Sequence, residues 1–261
     1  MTAYGTARAT AEDIPALRVM PAPVADEPFP SGLLKHSDEQ TVVGLAAVLQ
    51  AIRDHSLAGQ SFREWGVLAA PRFLGRATLA SALQRFALEG AWGVSPHLIP
   101  HRSLHSVSGT VSQALGIRGP NFGVGGGPLS VAEVMLTGAA LLAEHRVPGV
   151  WLVISGWHPE PVLDRLGGAL ANGHHAPTVC KAVALALTAR LGARPGYRLH
   201  VSPEAEPVRD AALGITDENT PLLTLENLWT ALAASGSSDM TWKLGCGGWL
   251  GLRRSHDGTE N

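Results

Sequence analysis

Three regularly spaced histidines are the first candidates for chemistry in this sequence. His97, His101 and His105 are four residues apart, and on one continuous helix this spacing would align three imidazoles that could bind a metal ion. Pro96 and Pro100 interrupt the segment, because proline lacks the backbone N–H that a helix interior needs. We therefore predict a loop across these positions, and neither a metal nor another cofactor.

The chain offers few nucleophiles. Ser130 follows a glycine-rich stretch, and a serine attacks a substrate only when a base such as histidine lies within hydrogen-bond reach. The alternative is that Ser130 caps or begins a helix. Cys180 lies in an apolar run beside Lys181, and Cys246 lies between glycines; free cysteines are usually buried and inert. The histidines that could activate the serine are His101, His105, His174 and His175.

The glycine-rich stretch, residues 119–128, does not match a phosphate-binding motif. It lacks the Gly-Lys-Ser/Thr end of a P-loop, and it is not a Gly-x-Gly-x-x-Gly fingerprint in a βαβ setting with a distal acidic residue. Glycines at this density favour a sharp turn with positive φ angles or close backbone contact. The stretch therefore predicts a tight turn from a strand into a helix.

The same stretch resembles the turn that carries the reactive cysteine of β-ketoacyl synthases. That family has approximately Gly-Pro-Asn-Phe-Thr-Val-Ser-Thr-Ala-Cys, and this chain has Gly-Pro-Asn-Phe-Gly-Val-Gly-Gly-Gly-Pro, so the cysteine position falls on Pro128. The likeness continues through residues 94–100 and 112–118 and weakly to about Leu187. On these residues the sequence resembles the short β-ketoacyl synthase N-terminal-like proteins, which often accompany ketosynthases of polyketide or aryl-polyene pathways as chain-length-factor-like partners.

The resemblance implies an α/β, thiolase-like layered fold, one half of the usual duplicated αβα arrangement with a reduced C-terminal part. A condensing enzyme of this family also needs two histidines from the second half, whereas after Leu191 only His200 and His256 remain, in no motif of the family. Pro128 lacks both the thiol and the N–H that the family's nucleophile contributes to its oxyanion hole. Losing one such donor typically costs ~10²- to 10³-fold in turnover.

The resemblance also implies which surfaces meet partners. In the family, the strand that corresponds to residues 121–124 pairs across a two-fold axis, with a second copy or with an active ketosynthase. The predicted interface residues are Leu104, His105, Val107, Ser108, Asn121, Phe122, Gly123 and Val124. Phe122 and Met135 are predicted to line an acyl tunnel or to lie in the core. An acidic acyl carrier protein is predicted to contact Arg72, Arg76, Arg102 and Arg118.

The leading hypothesis is a non-catalytic, chain-length-factor-like subunit that dimerises and shapes the acyl tunnel in polyketide, aryl-polyene or fatty-acid-like biosynthesis. Half of a duplicated fold would leave an apolar face where the other half packs, and such a face usually marks an interaction site. The alternative is an acyltransferase or hydrolase that acts on carrier-bound acyl chains through Ser130 or a cysteine. A third possibility is a homodimeric scaffold or acyl-binding protein without a partner enzyme.

Hydrophobic periodicity predicts alternating helices and strands, which is the pattern of a layered α/β fold. The predicted helices span residues 37–59, 78–89, 106–115, 129–144 and 225–234. The predicted strands span residues 65–71, 121–124 and 150–156, followed by a closing strand or hairpin over 241–252. For residues 179–191 propensity favours a helix and the resemblance favours a strand, and we predict a strand for the first half. Residues 164–177 and 200–221 are predicted to be loops.

Length and composition predict one substantial domain. The 261 residues are 45% hydrophobic and 16% charged, which suits a well-buried globular protein. We expect an extended arm over residues 1–31, a single domain over 32–254 and a disordered tail over 255–261. A net charge of -2 argues against nucleic acid as a partner, and no apolar run has the ~20 residues of a membrane span. Two cysteines and no secretory segment predict a cytoplasmic protein.

Overall fold

The computed structural model describes residues 1–19, 32–125, 127–160, 178–189, 196–202, 220–234 and 239–255. The predicted loop at residues 164–177, with His174 and His175, lies outside these ranges. So do His256 and all but the first residue of the predicted tail.

A five-stranded mixed sheet forms the centre of the molecule. Its strands are β1 (Ala3–Thr10), β2 (Gly66–Pro71), β3 (Asn121–Gly123), β4 (Gly149–His158) and β5 (Val179–Thr188). They are arranged in the order β1-β5-β4-β2-β3. Strand β2 pairs in parallel with β3 and β4, whereas β5 runs antiparallel to both of its neighbours. Strands β1 and β3 are therefore the two edges of the sheet.

Helices cover both faces of this sheet. They are α1 (Ile14–Leu17), α2 (Glu39–Asp54), α3 (Arg76–Glu89), α4 (Leu98–Arg102), α5 (His105–Leu115), α6 (Ser130–Ala143) and α7 (Leu225–Ala233). Alternate strand residues serve the two faces: Val67 and Trp151 pack with α2 and α5, and Leu68 and Leu152 pack with α6 and α7. Among the described residues, no helix is long and apolar enough to cross a membrane.

A smaller sheet forms the reduced C-terminal part. Strands β6 (Gly196–Ser202), β8 (Trp249–Ser255) and β7 (Met240–Lys243) are antiparallel in that order. Leu250 and Leu252 point inward, into the cluster that contains α6 and α7. On the outer face, Arg198, His200 and Arg253 are exposed. The predicted closing hairpin is confirmed as β7 and β8, and the described outer surface of this sheet is polar.

The prediction of an extended arm over residues 1–31 is wrong for its first part. Residues 3–10 form β1, and its Ala and Gly positions alternate toward the buried side. A Cβ built on Gly5 would lie 2.1 Å from the carbonyl oxygen of Ala47, so α2 packs directly on the strand backbone. Small residues make this close approach possible, and they hid the two-residue period because none of them is strongly hydrophobic. Residues 20–31 lie outside the described ranges.

Three further predictions are decided by the structure. The loop predicted between His97 and His105 contains α4, because Pro100 falls in its first turn, where a missing N–H costs no helical hydrogen bond. The ambiguous segment after position 178 is a strand through Thr188. His200 belongs to β6 and not to a surface loop.

Candidate functional site

The glycine-rich turn between β3 and α6 has the tight geometry that the sequence predicts. Gly125 has φ +66°, a left-handed conformation that side chains rarely adopt. A Cβ on Gly125 would lie 2.3 Å from Glu133 Oε2 and 2.9 Å from the Cβ of Ser130. Glu133 lies in the first turn of α6, where its charge is favourable next to the positive end of the helix. The turn therefore requires glycine at position 125.

Pro128 lies at the end of this turn and is exposed. It has no sulfur, and its ring nitrogen carries no hydrogen that could be donated to a developing oxyanion. Its neighbours Gly127 and Leu129 carry no nucleophile either. At the position where the sequence resemblance places a reactive cysteine, the structure thus presents a surface without a reactive side chain.

Ser130 is the first residue of α6, and its exposed fraction is 2%. Its N–H donates to the carbonyl of Gly127 at 3.3 Å, which confirms the helix-start interpretation. Within the described part of the chain, no hydrogen bond joins its hydroxyl to a histidine. His101 belongs to α4, and His105 begins α5, which packs on the opposite face of the sheet from α6.

One serine does lie beside an imidazole. Ser108 Oγ is 3.5 Å from His105 Nδ1, but the same hydroxyl donates to the carbonyl of His105 at 3.2 Å. Ser108 is fully buried, so a substrate cannot reach it. Its hydroxyl satisfies the first turn of α5 and does not form an accessible nucleophile–base pair.

The two cysteines have opposite environments. Cys180 is fully buried on β5, and burial, together with the charges of Asp38 and Glu39, raises the pKa of its thiol well above the usual value. It therefore remains a protonated thiol and a poor nucleophile. Lys181, the neighbour that could have lowered this pKa, is instead paired with Glu226 across 2.5 Å.

Cys246 is exposed in the loop between β7 and β8. This loop contacts the residue that follows Pro128, since a Cβ on Gly245 would lie 2.2 Å from Leu129 Cδ2. The loop conformation depends on Gly247 and Gly248, whose φ angles are 97° and 83°. Cys246 is exposed, and the residue before it, Gly245, contacts the turn that ends at Pro128.

Strand β3 has one open edge. Val67 N–H donates to the carbonyl of Pro120 at 2.8 Å, and Val124 N–H donates to Ala69 at 2.7 Å, so the even-numbered residues of this segment bond to β2. Because backbone groups alternate along a strand, those of Asn121 and Gly123 face away from the sheet. Phe122 pairs in register with Leu68 and is 45% exposed. Such an edge can accept another strand.

The other predicted interface residues differ in accessibility. Leu104 is half-buried and His105 is exposed, whereas Val107 and Ser108 are fully buried within the subunit. A Cβ on Gly123 would lie 2.4 Å from the backbone of Leu104, so α5 begins directly beside the edge strand. The structure therefore brings these two sequence segments together.

Two of the four predicted carrier-protein arginines lie together after β2. The guanidinium groups of Arg72 and Arg76 lie 5.3 Å and 5.1 Å from the ring centre of Phe73. Arg76 also pairs with Glu160 at 2.6 Å. Both arginines are exposed, at the end of the sheet where the parallel strands β2 and β4 terminate.

The other two arginines are separated from each other. Arg102 closes α4, and its Nε lies 3.4 Å from Asp38 Oδ2, so much of its charge is used within the subunit. Arg118 precedes β3, and its N–H donates to the carbonyl of Arg63, which precedes β2. Arg118 therefore lies at the opposite end of the sheet from Arg72.

Sequence reasoning missed a polar cluster under the first turn of α2. Asp38 accepts a hydrogen bond from Gln40 N–H at 2.9 Å. The side chain of Gln40 donates to the carbonyl of Arg72 at 3.0 Å and accepts from Ser155 Oγ at 3.3 Å. These residues are distant in sequence, so only the helix-capping role of Asp38 was predictable.

This cluster borders a shallow cavity of about 40 Å³ that Trp157 and Glu160 also line. Burial, together with the neighbouring negative charge of Glu39, raises the pKa of Asp38 to about 6, against the lowering effect of Arg102, the hydrogen bond from Gln40 N–H and Arg18. The cavity has room for a few water molecules. It is too small for an acyl substrate.

Three imidazoles, those of His36, His97 and His101, lie close together. The rings of His36 and His97 are stacked, with centres 5.2 Å apart, and His101 lies 5.9 Å from His36. Burial lowers the pKa of His101, and the adjacent His36, Arg102 and His97 lower it further. In the described ranges, no group of three potential ligands is arranged to hold a metal ion.

Comparison with solved structures shows the fold. One similar chain belongs to a type II polyketide synthase acyl-carrier protein in complex with its ketosynthase, AntDE:AntF (TM-score 0.56, 12% identity, 97% of each chain covered). A second belongs to the ketosynthase ApeO with its chain length factor ApeC from Xenorhabdus doucetiae (TM-score 0.55, 16% identity, 97% of this chain and 100% of the other). A third is the ishigamide ketosynthase/chain length factor (TM-score 0.53, 14% identity, 97% and 99% covered).

The sequence matches no family model and no curated protein. At 12% to 16% identity, the structural likeness establishes the fold alone. The chain therefore has the thiolase-type α/β fold of ketosynthases and chain length factors, as the sequence resemblance implies.

Proposed function

We propose that this protein is a non-catalytic, ketosynthase-like subunit that pairs with a catalytic ketosynthase and shapes the acyl channel of the resulting complex. The observation that carries the proposal is Pro128. The turn before it has a left-handed glycine and close contacts with α6, yet the residue at the predicted nucleophile position has neither a reactive atom nor a donor N–H. A turn that keeps its shape without its chemistry suits a subunit that supports catalysis in a partner.

The similar structures favour this kind of partner. Their names describe ketosynthases in complex with a chain length factor or with an acyl-carrier protein. A ketosynthase would supply the nucleophile and the proton-transferring groups that the described residues of this chain do not bring together. A homodimer would combine two copies of the same unreactive turn, so we assign the partner role to a ketosynthase.

The open edge of β3 is the proposed centre of the interface. Asn121 and Gly123 present backbone groups to this edge, and the exposed ring of Phe122 lies between them. An antiparallel strand from the partner would satisfy these backbone groups and extend the five-stranded sheet. Leu104 and His105 would flank the paired strands, because α5 begins beside Gly123.

Phe122 and Met135 define the proposed channel side of the interface. Phe122 is in register with Leu68, which packs with α6, and Met135 of α6 is fully buried in that same cluster. Both side chains therefore lie on the α6 face of the sheet. Phe122 reaches the surface and can limit the length of a chain grown in the partner, whereas Met135 supports it from within the core.

Arg72 and Arg76 form the proposed carrier-protein contact. They are exposed next to each other at one end of the sheet, as an acidic partner surface requires. Because Arg102 and Arg118 lie elsewhere, the proposed contact contains only Arg72 and Arg76 of the four arginines that were predicted. The carrier protein would thereby approach the end of the sheet where β2 and β4 terminate.

The test is reconstitution with the ketosynthase encoded nearest to this chain. We expect the two proteins to copurify, and a ketosynthase that is inactive or imprecise alone to produce one main chain length in the complex. Phe122→Ala should shift the products toward longer chains, because it shortens a side chain at the proposed channel. Leu222→Ala is a matched control, since Leu222 is exposed to a similar extent, 46%, beside the small sheet. No effect of this protein on the products would contradict the proposal.

One observation favours a second candidate, acyl transfer through Cys246. This thiol is accessible, and its loop contacts the turn that ends at Pro128. Incubation with acyl carrier thioesters followed by intact mass measurement separates the two functions. A stable acyl adduct that Cys246→Ala abolishes would support the second candidate.

A further inference from the structure

We propose that the segment from α3 to α4, residues 76–102, is an apolar binding surface that contacts the ketosynthase subunit beyond the edge strand. We call this segment the α3 arm. The inference rests on the proposed function, because it names a second surface for the same partner. It assigns a binding role to the apolar residues Leu83, Phe86, Leu88 and Trp92, which neither the sequence motifs nor the predicted interface included.

The α3 arm carries the main group of exposed large apolar side chains in the described structure. Trp92 is completely exposed, at 100%, and Leu88 is 85% exposed. The other members of the group are Leu83, Phe86 and Ile99. Outside the arm and β3, the described surface exposes only Val19, Leu129 and Leu222 among large apolar residues. A contiguous group of this kind usually marks an interaction site.

The arm also receives little support from the described residues of its own subunit. Every residue from 83 to 92 is exposed, so the C-terminal half of α3 projects from the body. An isolated helix of 14 residues is marginally stable in water, and most helices gain their stability by packing an apolar face. Leu79, Leu83 and Phe86 have the helical spacing of such a face. The described residues of the subunit leave this face uncovered, and a partner protein would supply the missing contacts.

The charges of the arm indicate an apolar protein partner. Arg85 and Glu89 lie 3.6 Å apart at the i and i+4 positions, so they offset each other. Arg76 pairs with Glu160, and Arg102 pairs with Asp38. The projecting part of the arm, residues 83–92, therefore presents little net charge to an anionic lipid surface, whereas Arg76 at its base belongs to the proposed carrier-protein contact. An apolar recess on a folded protein would be complementary to this surface.

The position of the arm identifies that protein as the partner of β3. The chain passes from α4 directly into α5, whose first residues contact Gly123 of the edge strand. A contact through the three residues of β3 would bury far less surface than the ~800 Å² per partner of a standard interface. Trp92, which is completely exposed, can add ~150 to 250 Å² on burial, and the half-exposed Phe86 adds about half as much. Outside the arm, the exposed large apolar residues of the described surface are the single side chains Val19, Phe122, Leu129 and Leu222, so a second copy presents no other group of this size for the arm to bind.

The experiment measures binding of this protein to the ketosynthase encoded nearest to it. The double variant Phe86→Asp/Trp92→Asp places two charges in the proposed contact, and we expect its Kd to rise at least 100-fold. Both residues are exposed, so its thermal unfolding midpoint should match that of the wild type. Leu222→Asp introduces the same charge at an exposed apolar residue outside the arm, and its Kd should not change.

Each other outcome overturns the proposal in a distinguishable way. If the wild type binds the ketosynthase and the double variant binds equally well, the arm is not a contact, but the proposed function stands. If the wild type does not bind the ketosynthase, both proposals fail. If the wild type alone forms a dimer that the double variant dissociates, the arm binds a second copy and the assignment to the ketosynthase is wrong.

Discussion

Pro128 and Ser130 are two residues apart, yet they have separate roles in the turn before α6. Pro128 is exposed and has no group that can react, whereas Ser130 has a hydroxyl but is buried at the start of the helix. The sequence predicted both roles, because a proline cannot donate an N–H and a serine before an apolar run commonly begins a helix. The local chemistry was therefore predictable from residue types.

The environment of Asp38 was not predictable in this way. Gln40 is only two residues away, but Arg102 and Arg18 belong to other segments, and only the fold places their charges near this buried carboxylate. Burial raises the pKa of this carboxylate to about 6 from an ordinary value of 3.8. The folded protein thus binds this proton more tightly than the unfolded chain does.

Asp38→Asn tests this residue-scale conclusion. The contribution of Asp38 to stability is greatest below about pH 4 and is lost as the pH rises through about 6, because the folded state must then give up its extra proton. Asparagine caps a helix as well as aspartate and does not titrate. The free energy of unfolding of the variant minus that of the wild type should therefore increase between pH 4.5 and 7, as measured by urea denaturation.

The difference between the two free energies of unfolding is more informative than the pH dependence of either protein alone. His101 has a pKa lowered mainly by burial, but it titrates in both proteins and largely cancels. A difference that stays constant over this pH range, or that decreases, would show that Asp38 is ionised normally in the folded protein.

Strand β1 shows how an element can be missed in the sequence. Its buried positions are Ala3, Gly5 and Ala9, which give a weak hydrophobic signal although they have the two-residue period of a strand. The strong signals of β2 and β4, by contrast, come from large apolar residues on both faces. Close helix–strand packing selects small residues, and residue types alone did not distinguish them from a flexible arm.

Gly5→Ala should destabilise the protein by ~1 to 3 kcal/mol, as overpacking in a core typically does. The added methyl would lie 2.1 Å from the carbonyl oxygen of Ala47 and would push α2 away from the sheet. Gly251→Ala is the control, because it is also a strand glycine but its Cβ would meet nothing closer than 3.9 Å. Equal unfolding midpoints in urea for the two variants would refute the close contact between β1 and α2.

Asn121→Pro tests the open edge of β3. Proline removes an N–H that faces away from β2, so the parallel ladder inside the subunit remains while a strand from a partner loses a donor. We expect a Kd for the ketosynthase that is at least 10-fold higher, measured by calorimetry. Asn121→Ala removes the side chain but keeps the N–H, and it should bind as the wild type does. Equal loss in both variants would assign the effect to the side chain instead.

At the scale of the whole molecule, the fold class was predictable, but the location of the exposed apolar residues was not. The alternation of strands and helices predicted a layered α/β fold, and the resemblance around Pro128 implied that this fold is of the thiolase type, which the solved structures confirm. An exposed apolar face was expected where the other half of the duplicated fold would pack. The small sheet instead covers α6 and α7 and turns Arg198 and His200 outward, while the apolar residues gather on the α3 arm.

This distribution has a physical reason. Strands β6, β7 and β8 cover α6 and α7 with an apolar inner face and present a polar outer face to solvent. A surface meant for a partner stays apolar only where that partner covers it. Periodicity predicts that a helix such as α3 has an apolar face, but it cannot tell whether the subunit or a second protein packs against it.

The most direct test of the central claim is the mass of this protein after incubation with acyl carrier thioesters, alone and with the ketosynthase. We predict that its mass does not change in either case, and that the acyl group appears only on the ketosynthase. An acyl adduct on this chain that Ser130→Ala, Cys180→Ala or Cys246→Ala abolishes would show that it carries a nucleophile of its own, and would contradict the account.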